Sequence, residues 1–168
     1  MSASSRPAEP APTAPIVIVP AGPEDAGEIL TVQRAAYAVE AQLYGDPFIP
    51  PLVESLGQIR AQLAGDAVVL KAVLGARIVG AVRAQFSDRT CLIARLVVAP
   101  DQQGQGIGTR LMRAVEAEIT GRADACMLFT GHLSDGNLRL FRRLGFTETH
   151  RERVAAHLTL VHLRKSLI

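Results

Sequence analysis

The sequence predicts a single-domain α/β protein, and three observations carry that expectation. Its 168 residues suffice for one domain with a core of its own. Apolar residues recur at alternate positions in some runs and at three- and four-residue spacings in others, and the two periods interleave. The stretch from Arg95 to Glu118, RLVVAPDQQGQGIGTRLMRAVEAE, joins them: an apolar strand, a proline stop, a glycine-rich turn and an amphipathic helix. Composition excludes several other classes. A net charge of +2 with the arginines spread along the chain carries no nucleic-acid signature. No apolar run approaches the roughly eighteen residues of a membrane span.

The elements follow in order. Residues 1–15, MSASSRPAEPAPTAP, are rich in Pro, Ala and Ser and lack the apolar core of a signal peptide, so a disordered tail and a cytoplasmic protein are expected, with the domain over 16–168. Ile16 to Val19 reads as a β-branched strand closed by Pro20. Pro23 suits a first helical position, and Glu24, Asp25 and Glu28 suit a helix N-terminus, giving a helix to about Glu40. LYGDPFIPPLVESL reads as a loop, and Leu52, Leu56, Ile59 and Leu63 restart helical spacing until Gly65. Strands are expected over 67–74 and 77–86 as a hairpin around Gly75-Ala76, and over 90–98. The helix through Leu111, Met112, Val115 and Ile119 stops near Gly121. Then come a strand over 126–130, a helix over 135–144, and strands over 146–151 and 154–164. Cys91 and Cys126 fall inside apolar strands and read as buried thiols.

The turn between strand and helix carries the chemistry. Gly104, Gly106 and Gly108 alternate before Thr109 and Arg110 open the helix. Alternate glycines let a ligand approach the backbone, and the free N–H groups of a helix start attract phosphate. A Walker A loop is excluded because no lysine follows the last glycine. A dinucleotide fingerprint is excluded because no glycine stands at its sixth position, whether counted from Gly104 or Gly106.

What fits is Gln103-Gly104-Gln105-Gly106-Ile107-Gly108, a Q-x-x-G-x-G motif preceded by Val98-Ala99-Pro100. This resembles the coenzyme-A-binding signature of the GNAT N-acetyltransferase superfamily. Asn137-Leu138-Arg139-Leu140-Phe141 with Gly145-Phe146 resembles the family's last helix and following strand, and the order β-α-α-β-β-β-α-β-α-β-β over residues 16 to 164 is the family's. The resemblance implies a mixed, mostly antiparallel central sheet with helices on both faces and a splayed central strand pair. It also implies acetyl-CoA as cosubstrate, transferred directly to a primary amine within a ternary complex. By the family's pattern Leu96, Val97 and Val98 offer a strand edge to pantetheine. The amides of Gly104, Gln105, Gly106, Ile107, Gly108, Thr109 and Arg110 hold the pyrophosphate, with Gln103 fixing the turn.

Asn137 either contacts the cofactor or sits in the first turn of its helix, which Ser134 is placed to cap. Phe141 also belongs to the cofactor set, but it departs from the family, in which many members carry there a tyrosine that protonates the leaving thiolate. Phe129 and Ser134 stand where some protein N-terminal acetylating members carry a glutamate and an asparagine, so that subgroup's machinery is missing. The alternative on the same fold is a non-catalytic acyl-CoA-binding or regulatory module. For the catalytic end Glu40, Tyr44 and His132 are the candidates, with Asp46 and Glu54 as further carboxylates. Glu40 and Asp46 beside Tyr44, Phe48 and Ile49 suit a cationic amine with an apolar body and suit an acidic substrate poorly. The acceptor is expected to be a small-molecule or peptide amine. No metal site, nucleic acid or membrane is expected, and a homodimer is compatible with the reading.

Overall fold

The computed structural model describes residues 15–168, so residues 1–14 of the expected tail lie outside the described residues. Seven strands form one sheet in the order β1-β2-β3-β4-β5-β7-β6. They are β1 (Ile16–Pro20), β2 (Val68–Leu74), β3 (Arg77–Ser87), β4 (Thr90–Val98), β5 (Ala125–Gly131), β6 (Thr147–Ala155) and β7 (Leu158–Ser166). Every neighbouring pair is antiparallel except β4 with β5. Five helices accompany the sheet: α1 (Ala26–Tyr44), α2 (Pro50–Val53), α3 (Leu56–Ala64), α4 (Ile107–Ile119) and α5 (Asp135–Arg143).

Strand alternation places helices on both faces. Val69, Ala81 and Arg83 point toward α1 and α3, where they meet Ile29 and Ile59. A Cβ added at Gly80, one residue out of phase, would meet Leu111 of α4 instead. Helix α5 lies beside α4, its Leu140 near Gly108. Leu111, Val115 and Ile119 of α4 are fully buried in a core that also takes Ile29 and Val32 from α1.

Three regions differ from the sequence reading. Helix α1 runs on to Tyr44 and stops at Gly45, whose φ is 62°. The expected helix from Leu52 is two pieces: Pro50 and Pro51 start the single turn α2, and Ser55 starts α3 with its hydroxyl accepting from the Gln58 N–H at 3.1 Å. At the C-terminal end β6 continues to Ala155 and β7 begins only at Leu158. The turn between them falls at Ala156-His157, which offers no glycine, proline or asparagine to mark it.

The feature that positions the site is the short parallel ladder. Strands β4 and β5 pair only from Thr90↔Ala125 to Leu92↔Met127. Just beyond, β4 bulges: Ala81 faces Val97 and Arg83 faces Ala94, so Val82 alone opposes Arg95 and Leu96. Arg95 takes φ 54°, a conformation non-glycine residues rarely adopt. A bulge bends its strand, and here it accompanies the separation of the two parallel strands into a wedge.

Candidate active site

A cavity of about 380 Å³ occupies that wedge and reaches both faces of the sheet. On one face its wall is Met112 of α4 with Asn137 and Phe141 of α5; on the other it is Tyr37, Glu40 and Tyr44 of α1 with Ile49, Pro50 and Pro51. Between them run Ile93 to Leu96 of β4 and Leu128 to Gly131 of β5, and Val154, Leu158 and Leu160 close the far side. Strands that part leave backbone groups without ladder partners, which an amide-rich chain can pair with.

Next to the wedge stands the glycine turn. Gly104 and Gly106 have φ 79° and 78°, left-handed values that glycine takes at no steric cost. Gly106 is the N-cap of α4, with no side chain to satisfy the helix's first N–H groups. Among the described residues no backbone N–H from Gly104 to Thr109 donates to another protein group. Six unpaired donors at the positive end of a helix make an anion cradle. Gln103 donates from Nε2 to the Val98 carbonyl at 3.1 Å and so ties the turn to the end of β4. Ile107 is buried and anchors the helix start, and Gln105 is exposed. The Arg110 side chain turns away to donate to the Ile16 carbonyl at 2.8 Å. Leu96 lines the cavity, whereas Val97 is buried in the core.

On the α5 side Asn137 donates to Thr130 Oγ1 at 3.3 Å and lines the cavity. Phe141 is 5% exposed and packs edge-on against Phe146, ring centroids 6.1 Å apart. Ser134 does precede α5, but its hydroxyl makes no cap. It is used elsewhere: Ser134 Oγ donates to Glu40 Oε2 at 2.6 Å and lies 2.8 Å from the Tyr44 hydroxyl. The Leu133 N–H donates to that same phenolic oxygen at 2.9 Å. The order of donors is thereby set, from Leu133 N–H to Tyr44, from Tyr44 to Ser134, and from Ser134 to Glu40. Gly131 makes this possible, because a Cβ there would overlap the Tyr44 hydroxyl.

The other catalytic candidates separate. His132 packs its ring against Tyr44 at 5.7 Å, but its Nδ1 is engaged by the β7 backbone, 3.0 Å from the Thr159 N and 3.2 Å from the Thr159 carbonyl oxygen. It does not line the cavity. Asp46 also lies off the cavity wall, with His157 Nε2 at 2.9 Å and the Phe48 N–H at 2.8 Å. Those two hydrogen bonds hold its carboxyl below the usual carboxylate range. Phe48 points to solvent, 76% exposed. For Glu54, burial works to raise the pKa, yet hydrogen bonds from Arg83 and Gln33 outweigh it and hold the carboxyl low, which makes it a poor base.

So the anionic apolar wall expected from Glu40, Asp46 and Phe48 reduces to Glu40 with Tyr44 and Ile49, and a cation, Arg95, joins it. The sequence reading missed Tyr37 and Arg95. Tyr37 belongs to the same α1 face as Glu40 and Tyr44, at spacings of three and seven, which is the signal that marks it. Burial raises its phenol pKa, Arg95 pulling it down and Glu40 pushing it up, so the hydroxyl keeps its proton at neutral pH. Both cysteines are buried and reduced, with burial pushing the thiols up to about 11 at Cys91 and about 12 at Cys126. Neither lines the cavity.

Comparison with known proteins follows the geometry. The family model of the acetyltransferase (GNAT) domain matches residues 30–167. No curated protein matches the chain in sequence. Among solved structures, the ribosomal-protein-S18-alanine N-acetyltransferase of Escherichia coli superposes with TM-score 0.76 at 15% identity, covering 90% of this chain and 94% of its own. YncA of Salmonella typhimurium, solved with its cofactor acetyl-CoA, gives 0.72 at 19% identity over 91% and 94%. Arabidopsis thaliana NAA60, solved with a bisubstrate analogue, gives 0.73 at 17% identity over 90% and 98%. At these identities the likeness is one of fold. Among the described residues no helix is long and apolar enough to cross a membrane, and no cluster of side chains could hold a metal ion.

Proposed function

This chain belongs to the GNAT family of acetyltransferases, and we propose that it transfers the acetyl group of acetyl-CoA directly to a primary amine. The observation that carries the reading is the cavity through the β4–β5 wedge, which joins the cradle side of the sheet to the Glu40 side. The unpaired N–H groups of 104–109 suit a pyrophosphate, and the parted strand edges suit the two amides of pantetheine. Acetyl-CoA supplies an acyl group already activated as a thioester.

The chain's own residues do the rest. Glu40 binds the amine from the α1 side and, directly or through water, takes the proton that the nitrogen must lose to become nucleophilic. Ser134 and Tyr44 fix Glu40 by their ordered hydrogen bonds. As the new N–C bond forms and the C–S bond breaks, the departing thiolate needs a proton. Phe141 has none to give. Tyr37 lines the cavity, retains its proton and makes no hydrogen bond to the described residues, so it serves as the donor. Holding amine and thioester together in the wedge supplies much of the acceleration.

Thiol release tests this. Acetyl-CoA mixed with the protein and a panel of primary amines should yield free thiol and acetylated amine in equal amounts, with at least one amine far above the hydrolysis background. Acetyl-CoA binding with no thiol release from any amine would favour the non-catalytic module, for which Phe141 is the supporting observation.

A further inference from the structure

The cavity holds a cation that nothing in the protein uses fully. Glu54 is one carboxylate facing two guanidinium groups. Arg83 engages it bidentately, Nη1 to Oε1 at 3.0 Å and Nη2 to Oε2 at 2.7 Å, and Gln33 Nε2 adds a third donor to Oε1 at 3.0 Å. Arg95 is left at the margin, its Nε 3.5 Å from Oε1. That nitrogen is buried without a hydrogen-bond partner, and among the described residues no guanidinium nitrogen of Arg95 donates a hydrogen bond. The side chain is only 18% exposed, so water reaches little of it. A buried guanidinium with five donors and no acceptor is costly unless something supplies the acceptor.

The cluster therefore carries one net positive charge at the cavity wall. It sits where the bulge turns Arg95 toward α1, in a left-handed conformation (φ 54°) that a non-glycine residue holds only when its surroundings enforce it. Glu40 lies farther along the same helix. Gln33, Tyr37, Glu40 and Tyr44 follow one face of α1, so the wall runs from cationic at the Arg95 end to anionic at the Glu40 end. Tyr37 stands on that face between Gln33 and Glu40 in sequence and lines the cavity with Arg95.

We propose that the acceptor is an amino carboxylate, its amine held at Glu40 and its carboxylate bound by Arg95. The proposal rests on the acetyltransferase reading of the same cavity. It assigns the acceptor to amino-acid-like molecules, against simple polyamines, whose second cation would face Arg95. Ile49, Leu158 and Leu160, which line the same cavity, suit the apolar body of such a molecule.

Two matched pairs of probes test it: L-leucine against L-leucinamide, and 6-aminohexanoate against its carboxamide. In at least one pair kcat/KM should favour the carboxylate by on the order of tenfold or more. That ratio should collapse toward one in Arg95→Gln and return in Arg95→Lys, which shares the backbone demand and restores the charge. No preference in either pair, or a preference that survives in Arg95→Gln, overturns the proposal. Calorimetry of the coenzyme-A-loaded protein with hexanoate gives a readout that needs no turnover. Binding by the native protein and not by Arg95→Gln supports the carboxylate site even if every amine fails, in which case it is the transferase reading that falls. Equal binding by both, or by neither, overturns the site itself.

Discussion

Glu40 shows how a single side chain acquires a role from partners far away in sequence. Its carboxylate accepts from Ser134, which is held by Tyr44, which is held by the Leu133 N–H. Glu40→Gln keeps an acceptor for Ser134 and removes the base. Catalysis on a cationic amine should then fall by roughly a hundredfold, with acetyl-CoA affinity unchanged by titration calorimetry. A fall mainly in kcat marks proton removal, and a rise mainly in KM marks amine binding. An unaltered kcat and KM would return Glu40 to the status of a surface carboxylate. The proton donor is tested at Tyr37 and Phe141 together. Tyr37→Phe should slow thiol release, and Phe141→Tyr in that background should recover part of it; a Tyr37→Phe protein as fast as the native one would exclude the phenol. Glu40 and Tyr44 were singled out through the family resemblance, which puts the end of the first helix and the following loop at the acceptor; that one helix face carries both became clear only when α1 reached Tyr44. The spare charge of Arg95 and the diversion of Ser134 from its helix cap were not legible in the sequence, because both depend on partners tens of residues distant.

At the scale of elements, local signals decided most boundaries and long-range ones decided the exceptions. The strand Thr90–Val98 and the helix ending at Ile119 were legible from apolar period and from Pro100 and Gly121. The β6–β7 turn carries no turn residue, and the break expected between 151 and 154 falls instead at Ala156-His157. The bulge at Arg95 was equally silent, since no glycine marks its positive φ. Strand β6 is exposed along nearly its whole length, and Glu148, Arg151, Glu152 and Arg153 put charge on that sheet edge, which discourages pairing with other chains. The strand–turn–helix unit makes its own prediction. Gly106→Val puts a β-branched side chain where φ is 78° and shields the cradle's N–H groups. Acetyl-CoA affinity should drop by at least about tenfold while circular dichroism shows the fold retained. Native affinity in that variant would mean that the phosphates bind elsewhere.

The whole molecule is held by one core and a few partly buried ion pairs, and these give it a sign of pH dependence. Burial tends to raise the Asp25 pKa, but the Lys71 ammonium at 2.8 Å and the Gly22 N–H at 2.9 Å outweigh it and hold the carboxyl below its ordinary value. Glu54 is lowered as well, by Arg83 and Gln33 against its burial. A carboxyl depressed in the folded state adds stability above its unfolded pKa of about 4 and loses it as the pH falls through the folded value. Urea midpoints should therefore decline from pH 7 toward pH 3. Asp25→Asn should cost about 1 kcal/mol at pH 7 and less at pH 3; an equal cost at both would remove Asp25 from the account.

The overall architecture was legible because Q-x-x-G-x-G and N-x-x-L-F sit in a matching order of elements, and the wedge followed from that resemblance. The wedge is also where the account is most exposed. A crystal structure of the protein with coenzyme A tests it most directly. The predicted result has pantetheine between Leu96–Val98 and Leu128–Thr130, the pyrophosphate on the N–H groups of 104–109, and the thiol facing Tyr37 and Glu40. Coenzyme A bound outside the wedge, or a cradle left without phosphate, would contradict it.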